Sequence, residues 1–298
     1  MHLIDEGRVR RLYNWNLIND KIFLSLMFRM KAGRWINWKN PMTFNEKLKW
    51  LILYDRKKEY TTIVDKIKFK EWVAKKISNE FIIPTIGIWD RVEDIDFSTL
   101  PEKFVLKANH ISGGSYIHRT SQKPDRDHII KITKQEFNQN YFKRNGEWPY
   151  KKVKRKIFAE EYITDHSEKG MPDYKFYCFN GDPRYIQINS FRDHYYFNEE
   201  KKISDYQLFY NDKWELQEFI QGYPGKGDFE SPKPKNFEKM IEIARILSER
   251  IPFVRVDQYN IDGKIYVGEL TFYPYGIFGK FDPPEWDLKL GKLLDIRK

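Results

Sequence analysis

The feature that most constrains this chain is a segment near the C-terminus, residues 253–271, in which apolar and polar residues alternate on both sides of Asn-Ile-Asp-Gly. Alternation of this kind around a turn signal predicts a β-hairpin. Residues two positions apart share one face of a strand, so Arg255 and Asp257 lie on the same face. Glu269 and Thr271 have the same spacing on the second strand. The predicted hairpin therefore carries two polar pairs.

The turn decides whether these two pairs lie on one face of the hairpin. A two-residue Asp-Gly loop at 262–263 would place Asp257 and Glu269 on opposite faces, because a register shift of one residue reverses every side chain. A three-residue loop at 261–263, with glycine in the left-handed bulge position, would place both pairs on one face. We expect the three-residue loop, because Asn260 can open a type I turn that the glycine closes.

Two carboxylates and an arginine on one sheet face indicate a site for Mg²⁺ and phosphate. Mg²⁺ takes oxygen ligands and typically uses one or two carboxylates together with substrate phosphates. The apolar neighbours in sequence, Val254, Val256, Ile265 and Val267, fit such a platform. The alternative interpretation is a solvated hairpin face with a salt bridge, since paired charges on strands are often structural.

The composition is that of a globular protein with room for about two domains. The chain has 298 residues, of which 41% are hydrophobic and 32% are charged, a length that supports a sizeable core. No window approaches the roughly 18 apolar residues of a membrane span, and the charges in residues 1–8 argue against a signal peptide. Cys178 is the single cysteine, which excludes an internal disulfide and a multi-cysteine zinc site. We expect a cytoplasmic protein.

The net charge is +10, from 53 Lys and Arg against 43 Asp and Glu. Such a charge is compatible with a nucleic acid, an anionic membrane surface or an acidic substrate as partner. The basic residues are spread along the chain, with short clusters at 8–11 and 151–156 and no nucleic-acid recognition motif. The charge would help to recruit a polyanionic substrate, and no nucleic-acid partner is expected.

Helices dominate the first part of the chain and hairpins the last part, an order that predicts α+β layers rather than a doubly wound sheet. Thr43 and Glu46 form a capping box, and Asp65 can cap a helix over 66–76. Asn180 and Gly181 are a strong signal for a type I′ hairpin. Further helices are predicted at 124–142, 232–250 and 284–294, and strands at 84–89, 103–107, 157–163, 174–179 and 184–190.

Two segments in the middle of the chain could handle a nucleotide. A strand that ends at Lys107 leads into a Ser-Gly-Gly-Ser loop at 112–115, whose glycines would let backbone N–H groups approach phosphate oxygens. An ordinary hairpin turn is the alternative. Glu160 and Glu161 must point to opposite faces of a later strand, and an inward carboxylate needs a partner such as a lysine or a ligand. The alternative is that both lie near a sheet edge in water.

Two further pairs of charged residues are open to a functional and a structural interpretation. Asp173 and Lys175 share one strand face, either within a site or as a surface ion pair. Asp94 and Asp96 match the acid-x-acid metal motif of nucleotide-sugar glycosyltransferases. They precede a strand in a polar segment, where a turn-capping role for Asp96 is favoured.

These pieces, in this order, resemble the ATP-grasp superfamily, and more closely its TupA-like branch, from about residue 43 to residue 290. The matching stretches include Phe-Val-Leu-Lys at 104–107, Ser-Gly-Gly at 112–114, Ala-Glu-Glu-Tyr at 159–162, Phe-Val-Arg-Val-Asp at 253–257 and Gly-Glu-Leu-Thr-Phe at 268–272. The resemblance implies an α+β ATP-grasp fold, in which two lobes hold ATP between them. It divides the chain into a helical N-terminal segment (1–64), a smaller lobe with the phosphate loop (65–155) and a C-terminal lobe with the metal-binding hairpin (156–298).

The resemblance also implies a nucleotide site. Lys66 and Lys107 would contact the phosphates, and Asp173 and Lys175 would bind the ribose and a phosphate. The mobile loop over the phosphates would be formed by Ser112, Gly113, Gly114 and Ser115. The hinge that binds adenine would be formed by Glu160, Glu161, Tyr162 and Ile163.

The metal and the catalytic groups follow from the same resemblance. Asp257 and Glu269 would hold Mg²⁺. Thr271 stands where the family usually has asparagine, so a hydroxyl would take that metal position. Arg255 would act with Lys107 in catalysis, because a preorganised positive charge stabilises the negative charge that develops during acyl transfer.

The implied activity is that of an ATP- and Mg²⁺-dependent carboxylate–amine ligase that forms an amide through an acyl phosphate. The TupA-like resemblance points to bacterial surface polysaccharide or capsule biosynthesis, with an amino acid or amine joined to an acidic sugar, at the cytoplasmic membrane face where the precursor is lipid-linked. Three alternatives remain: an ATP-grasp kinase, a nucleotide-sugar glycosyltransferase that uses Asp94 and Asp96, and a basic non-catalytic binder.

Overall fold

Two β-sheets face each other across a cavity in the computed structural model, which describes residues 5–164, 172–189, 206–222, 225–226 and 231–297. The helices are α1 (Glu6–Asn14), α2 (Asp20–Ala32), α3 (Phe44–Tyr54), α4 (Glu59–Val64), α5 (Lys66–Lys76), α6 (Arg126–Phe137), α7 (Tyr141–Asn145), α8 (Phe237–Ser248) and α9 (Glu285–Leu293). The strands are β1 (Thr85–Trp89), β2 (Phe104–Ala108), β3 (Ser115–His118), β4 (Ile157–Glu161), β5 (Asp173–Phe179), β6 (Asp182–Asn189), β7 (Tyr206–Asn211), β8 (Ile220–Gln221), β9 (Gly225–Lys226), β10 (Phe253–Ile261), β11 (Lys264–Thr271) and β12 (Phe281–Asp282).

The N-terminal helices begin where their caps predict. The Thr43 hydroxyl accepts a hydrogen bond from the Glu46 amide, and the Glu46 carboxylate accepts one from the Thr43 amide, so the capping box of α3 is confirmed. The Asp65 carboxylate caps α5, which fixes Lys66 as the first residue of that helix. A predicted helix over 124–142 is instead two helices, α6 and α7. The Asn-Gln-Asn stretch between them favours turn conformations over helix.

The smaller sheet has the strand order β1-β4-β2-β3 and is antiparallel throughout. Its two faces differ because side chains alternate along each strand. One face packs its apolar residues against α6 in a separate hydrophobic cluster that includes Phe104, Leu106, Ile129, Ile157 and Ala159. The other face looks into the cavity.

The larger sheet has the strand order β11-β10-β5-β6-β7-β9. Asn180 and Gly181 both have positive φ between β5 and β6, so the predicted type I′ hairpin is confirmed. One sheet face packs against α8, and the helices α1–α5 join the same hydrophobic core. The other face carries the charged residues of β5, β10 and β11 toward the cavity.

The C-terminal hairpin corrects the predicted turn. Ile261 pairs with Lys264, so the loop is the two-residue Asp-Gly turn, and both of its residues have positive φ. The expected three-residue loop is therefore wrong. Asp257 still pairs directly with Glu269, because the register shifts between Gln258–Val267 and Asp257–Glu269 and leaves Gly268 as a β-bulge. The extra residue that brings the carboxylates onto one face lies in the strand rather than in the turn.

The predicted division at residues 64 and 155 stays a prediction. Strand β4 pairs with β1 and β2 of the smaller sheet, so we propose that the boundary between the lobes follows the hinge at 162–163. Within the described part of the chain, no helix has the length and apolar character needed to cross a membrane.

Candidate functional site

A cavity of about 780 Å³ lies between the two sheets and brings together residues that are far apart in sequence. Fourteen of the predicted site residues line it: Lys66, Lys107, Ser112, Gly113, Ser115, Glu160, Glu161, Tyr162, Ile163, Asp173, Arg255, Asp257, Glu269 and Thr271. Two do not. Gly114 lies against Ile111 and Glu136, and Lys175 lies beneath Asp173 and Asp257.

The smaller sheet supplies an apolar surface beside the hinge. Val105, Ile117 and Phe158 lie on the cavity face of β2, β3 and β4, and Ile83 adds to this surface from the segment before β1. These residues were not predicted as site residues, although the alternation of β2 and β4 could have identified them. The predicted hinge, residues 160–163, overlaps the end of β4 and continues directly after it. The arrangement can hold a flat apolar ring beside backbone hydrogen-bonding groups.

Glu160 is the inward-facing member of the acidic pair, and its predicted cationic partner is present. Its buried carboxylate accepts hydrogen bonds from Lys107 and, at 2.9 Å, from Lys70. Burial disfavours the charged carboxylate, but the Lys107 and Lys70 charges outweigh this effect and hold the pKa of Glu160 below its usual value. Lys70 lines the cavity but was not predicted as a site residue. It lies four residues after Lys66 on α5, a spacing that places both on one helix face.

The proposed phosphate loop is connected to the metal hairpin through Lys66. The Lys66 ammonium donates to the Ile111 carbonyl at the start of the loop, and it lies 3.7 Å from the Glu269 carboxylate. Gly113 and Gly114 both have positive φ, a backbone conformation that L side chains rarely adopt. The loop therefore has a shape that requires these glycines.

The hairpin charges form a network on the cavity face of the larger sheet. Asp257 accepts two hydrogen bonds of 2.7 Å from Arg255 and one of 2.7 Å from Lys175. Lys175 also donates to Asp173 at 2.5 Å. Asp173 and Lys175 are each only 1% exposed, so the interpretation of this pair as a surface ion pair is wrong. Arg255 reaches across to β11, where its guanidinium lies 3.7 Å from Glu269.

The hairpin donor set fits Mg²⁺ bound together with a nucleotide. Asp257 and Glu269 are directly opposite each other, and the Thr271 hydroxyl lies 3.4 Å from the Glu269 carboxylate. Among the residues that the structure describes, no group of three or more His, Cys, Asp or Glu is arranged to hold a metal ion. Two carboxylates suffice where phosphate oxygens supply further ligands. Each carboxylate oxygen has two lone pairs, so the bonds to Arg255 and Lys175 leave room for a cation.

A second end of the cavity was not predicted from the sequence. It is lined by Tyr141, Arg144, Asn145, Glu147, Tyr273, Tyr275 and Gly276. Glu147 is buried, with its carboxylate 3.3 Å from the Asn145 amide nitrogen, and burial raises its pKa from 4.5 to about 8. A single acid in a loop between two helical segments gives no sequence signal for burial, so only the fold reveals it.

The rim of this end carries basic residues from distant segments. Arg10 and Lys31 both pair with Glu6, at 2.8 Å and 2.7 Å, and all three line the cavity together with the exposed Arg144 and Lys280. The rim is therefore positively charged on balance.

The acid-x-acid motif lies outside the cavity. Asp94 forms a 2.5 Å ion pair with Arg91 on the surface, and the Asp96 carboxylate accepts a 2.9 Å hydrogen bond from the Ser98 amide. The turn-capping interpretation of Asp96 is confirmed. Neither residue lines the cavity that contains the other candidate site residues.

Comparison with known families gives one match over most of the chain. The family described as TupA-like ATPgrasp matches residues 46–295. No curated protein sequence matches the chain.

Solved structures that show some similarity to this chain include ligases. The D-alanine–D-alanine ligase of Helicobacter pylori is 14% identical, with a TM-score of 0.44 over 85% of this chain and 69% of its own. The D-alanine–D-alanine ligase of Bacillus anthracis complexed with ATP is 17% identical, with a TM-score of 0.39 over 71% of this chain and 54% of its own. The ATP-grasp ligase PsnB, complexed with a minimal precursor, Mg and ADP, is 10% identical, with a TM-score of 0.39 over 90% of this chain and 65% of its own. The chain thus spans about half of the Bacillus anthracis ligase.

Proposed function

The chain belongs to the TupA-like ATP-grasp family, which confirms the expected α+β ATP-grasp fold, and on that premise we propose that it is an ATP- and Mg²⁺-dependent carboxylate–amine ligase. The observation that carries the proposal is the placement of Arg255, Asp257 and Glu269 on one sheet face, across the cavity from the lysines of the smaller lobe. A triphosphate between these walls would meet positive charge from one side and metal-binding carboxylates from the other.

The nucleotide would be held mainly by the smaller lobe. Its adenine would lie on the apolar surface of Val105, Ile117 and Phe158 and hydrogen-bond to the hinge backbone at 162–163. Lys66 and Lys107 would contact the phosphates, under the loop at 112–115. Lys107 has Glu160 as its partner in this structure, and phosphate oxygens are alternative acceptors for the same ammonium. Asp173 would accept from the ribose hydroxyls.

The chemistry would take place at the hairpin. A carboxylate oxygen of the first substrate attacks the γ-phosphorus, the bond to the leaving ADP breaks, and an acyl phosphate results. The neutral amine nitrogen of the second substrate then attacks the acyl carbon and the C–N bond forms. The C–O bond to phosphate breaks, and inorganic phosphate leaves with the proton that the nitrogen loses. Bound Mg²⁺ would supply neutralisation of the phosphate charge. Arg255, fixed in place by its two bonds to Asp257, would stabilise negative charge on the acyl oxygen.

The substrates we propose are an acidic sugar or polysaccharide precursor and an amino acid or amine, joined during bacterial surface polysaccharide biosynthesis. The support is the family membership together with the net charge of +10 and the basic rim of Arg144 and Lys280. The proposed location is the cytoplasm, with contact to the membrane face where the precursor is lipid-linked. A kinase of the same fold is the second candidate, because the nucleotide half of the cavity would serve both reactions.

The experiment that tests the nucleotide site is a thermal-shift titration with Mg·ATP. A ligand that binds only the folded state stabilises it by about 2.7 kcal/mol at a hundredfold excess over the dissociation constant. Wild type should be stabilised, and Asp257→Asn and Lys107→Ala should lose the shift. Asp94→Asn and Lys103→Ala are matched surface controls, since Asp94 is outside the cavity and Lys103 is exposed.

The alternatives give different results in the same titration. Stabilisation by UDP-sugars alone would refute the ligase proposal and favour a glycosyltransferase. Product analysis separates the two ATP-dependent reactions, because a ligase releases ADP and phosphate only when both a carboxylate and an amine are present. A kinase would instead yield a phosphorylated product without an amine.

A further inference from the structure

Glu147 differs from the other buried carboxylates that line the cavity. Glu160, Asp173 and Asp257 each have a lysine or arginine nitrogen within 3 Å. Glu147 is only 3% exposed, yet among the residues that the structure describes no lysine or arginine nitrogen lies within 4 Å of its carboxylate. A buried charge is costly unless it is paired. The cavity therefore contains one buried acid that, among the described residues, has no lysine or arginine nitrogen in contact with its carboxylate.

The immediate neighbours of Glu147 are uncharged. The Asn145 amide lies 3.3 Å from its carboxylate, and the Tyr141 side chain also interacts with it. Neutral donors satisfy part of the hydrogen-bonding capacity of a carboxylate but do not balance its charge. The raised pKa of Glu147, about 8, has burial as its main cause and agrees with the absence of a close cation.

The backbone holds Glu147 in place at the cavity wall. Helix α7 ends at Gly146, whose amide donates to the Phe142 carbonyl and whose φ is +76°. A short 3₁₀ helix with proline in its first turn follows directly at Trp148–Lys152. Glu147 is thus fixed between two helical segments, and the hairpin carboxylate Glu269 is close enough to contribute to its electrostatic environment.

We propose that Glu147, with Tyr141 and Asn145, forms the subsite that binds the ammonium group of the amine substrate. This inference rests on the proposed ligase function, in which the bound ammonium gives one proton to solvent and the resulting neutral amine attacks the acyl carbon beside Arg255. An ammonium group brings three N–H donors and one positive charge, which are the hydrogen bonds and the charge that this carboxylate lacks. The tyrosine ring of Tyr141 adds a surface that attracts cations.

The rim beside Glu147 indicates the class of amine. Arg144 lines the cavity and acts on Glu147 electrostatically, and no carboxylate of the described residues pairs with its guanidinium. A molecule with an ammonium group at Glu147 and a carboxylate at Arg144 would satisfy both. The proposed amine substrate is therefore an amino acid rather than a simple alkylamine.

Calorimetric titration of the full chain, saturated with Mg·ADP, tests this subsite. The titrants are a panel of free amino acids, their N-acetyl derivatives and simple amines such as ethanolamine. At least one amino acid should bind to wild type, whereas its N-acetyl derivative should not. Glu147→Gln should weaken that binding by roughly a hundredfold, the scale for loss of one partner of a buried charge pair. Glu147→Asp, which keeps the charge but shortens the side chain, should give an intermediate loss.

The matched control is Glu93→Gln. Glu93 is exposed, pairs with Lys134 and does not line the cavity, so amino-acid binding should change less than about threefold on the scale of surface substitutions. Loss of binding in Glu93→Gln, unchanged binding in Glu147→Gln, or no amino-acid binding by wild type would each overturn the subsite.

Nucleotide binding separates this inference from the proposed function. Glu147→Gln should bind Mg·ADP as wild type does and should melt at or above the wild-type temperature, because it loses an unpaired buried charge. If wild type does not bind Mg·ADP, the ligase proposal itself fails. If wild type binds Mg·ADP and amino acids and Glu147→Gln binds both equally well, only the subsite is refuted.

Discussion

Buried carboxylates line the same cavity in two regions, the strands β4, β5 and β10 and the segment at 141–150. The two regions differ in whether a cationic side chain contacts the carboxylate. Glu160 on β4 and Asp257 on β10 are each in contact with two cationic side chains. The groups that hydrogen-bond to Glu147 among the described residues are neutral, and Arg144 acts on it only through longer-range electrostatics. The strands pair their buried carboxylates with cations of the protein, whereas we propose that a ligand supplies the cation for Glu147.

This difference separates stability from binding. A buried ion pair that is complete in the folded protein is strongly destabilising when one partner is removed. A buried acid without a cation instead lowers stability until a ligand arrives, as is common at functional sites. Substitutions that remove charge should therefore have opposite signs in the two regions.

The largest effect is expected for Lys175→Met, on the strands where cations of the protein pair with the buried carboxylates. Lys175 lies between Asp173 and Asp257 at 2.5 Å and 2.7 Å, so its removal leaves two buried carboxylates with less positive charge. Breaking a buried ion pair of this kind costs about 3 to 5 kcal/mol. Urea unfolding monitored by circular dichroism measures the loss. Lys103→Met, at an exposed position, should change the free energy of unfolding by less than about 0.5 kcal/mol, and a loss for Lys175→Met as small as that would contradict the comparison.

The opposite sign is expected for Glu147→Gln. The pKa of Glu147 is raised from 4.5 to about 8 by burial, so the folded state binds more protons than the unfolded state between these values, and wild-type stability falls as pH rises through that window. The substitution removes this dependence. At pH 9 the variant should be more stable than wild type by about 2 to 4 kcal/mol, and near pH 4.5 the difference should vanish. Parallel pH profiles for the two proteins would show that Glu147 has a cation as partner.

A smaller effect, with the reverse pH dependence, is expected for His110. Burial, with the Arg155 and Lys66 charges, lowers its pKa from 6.5 to about 4. The unfolded state therefore binds the extra proton first, and stability falls as pH falls from 6.5 to 4. His110→Phe keeps a ring against Phe137, 5.9 Å away in the native contact, and should remove about 2 to 3 kcal/mol of this acid-induced loss. The slope of unfolding free energy against pH is the measurement, and an unchanged slope would refute the assignment to His110.

Most of the charged residues on the strands could be predicted from the sequence, because side chains alternate between the two faces of a strand. Lys107 and Glu160 on the smaller sheet, and Asp257 and Glu269 on the larger one, all line the cavity as predicted. Their partners were harder to assign. Lys175 was expected to reach a phosphate, but cross-strand pairing to Asp257 holds it inside the sheet.

The segment at 141–150 could not be predicted to line the cavity, because the burial of its residues depends on tertiary packing. Tyr141 was placed inside a continuous helix, and Glu147 lies in a short connection without any periodic pattern. Nothing local shows that these residues are buried beside the hairpin. The predicted turn of the hairpin was wrong for a different reason. The unpaired residue lies within the strand, at Gly268, and not in the loop. Gly268 was the available signal, because an isolated glycine in a strand often marks a bulge.

The bulge at Gly268 also constrains the number of residues between Asp257 and Glu269. A flush hairpin with a two-residue loop always has an even number of residues between cross-strand partners, and the stretch 258–268 between Asp257 and Glu269 is odd. At this spacing one residue must therefore be unpaired, either in the loop or within a strand. Loss of the unpaired residue would leave an even number of residues between the two acids, so a flush hairpin with the same two-residue loop would still pair Asp257 directly with Glu269. A related hairpin that keeps the two acids opposite each other should therefore have an odd spacing with one unpaired residue, or an even spacing with none.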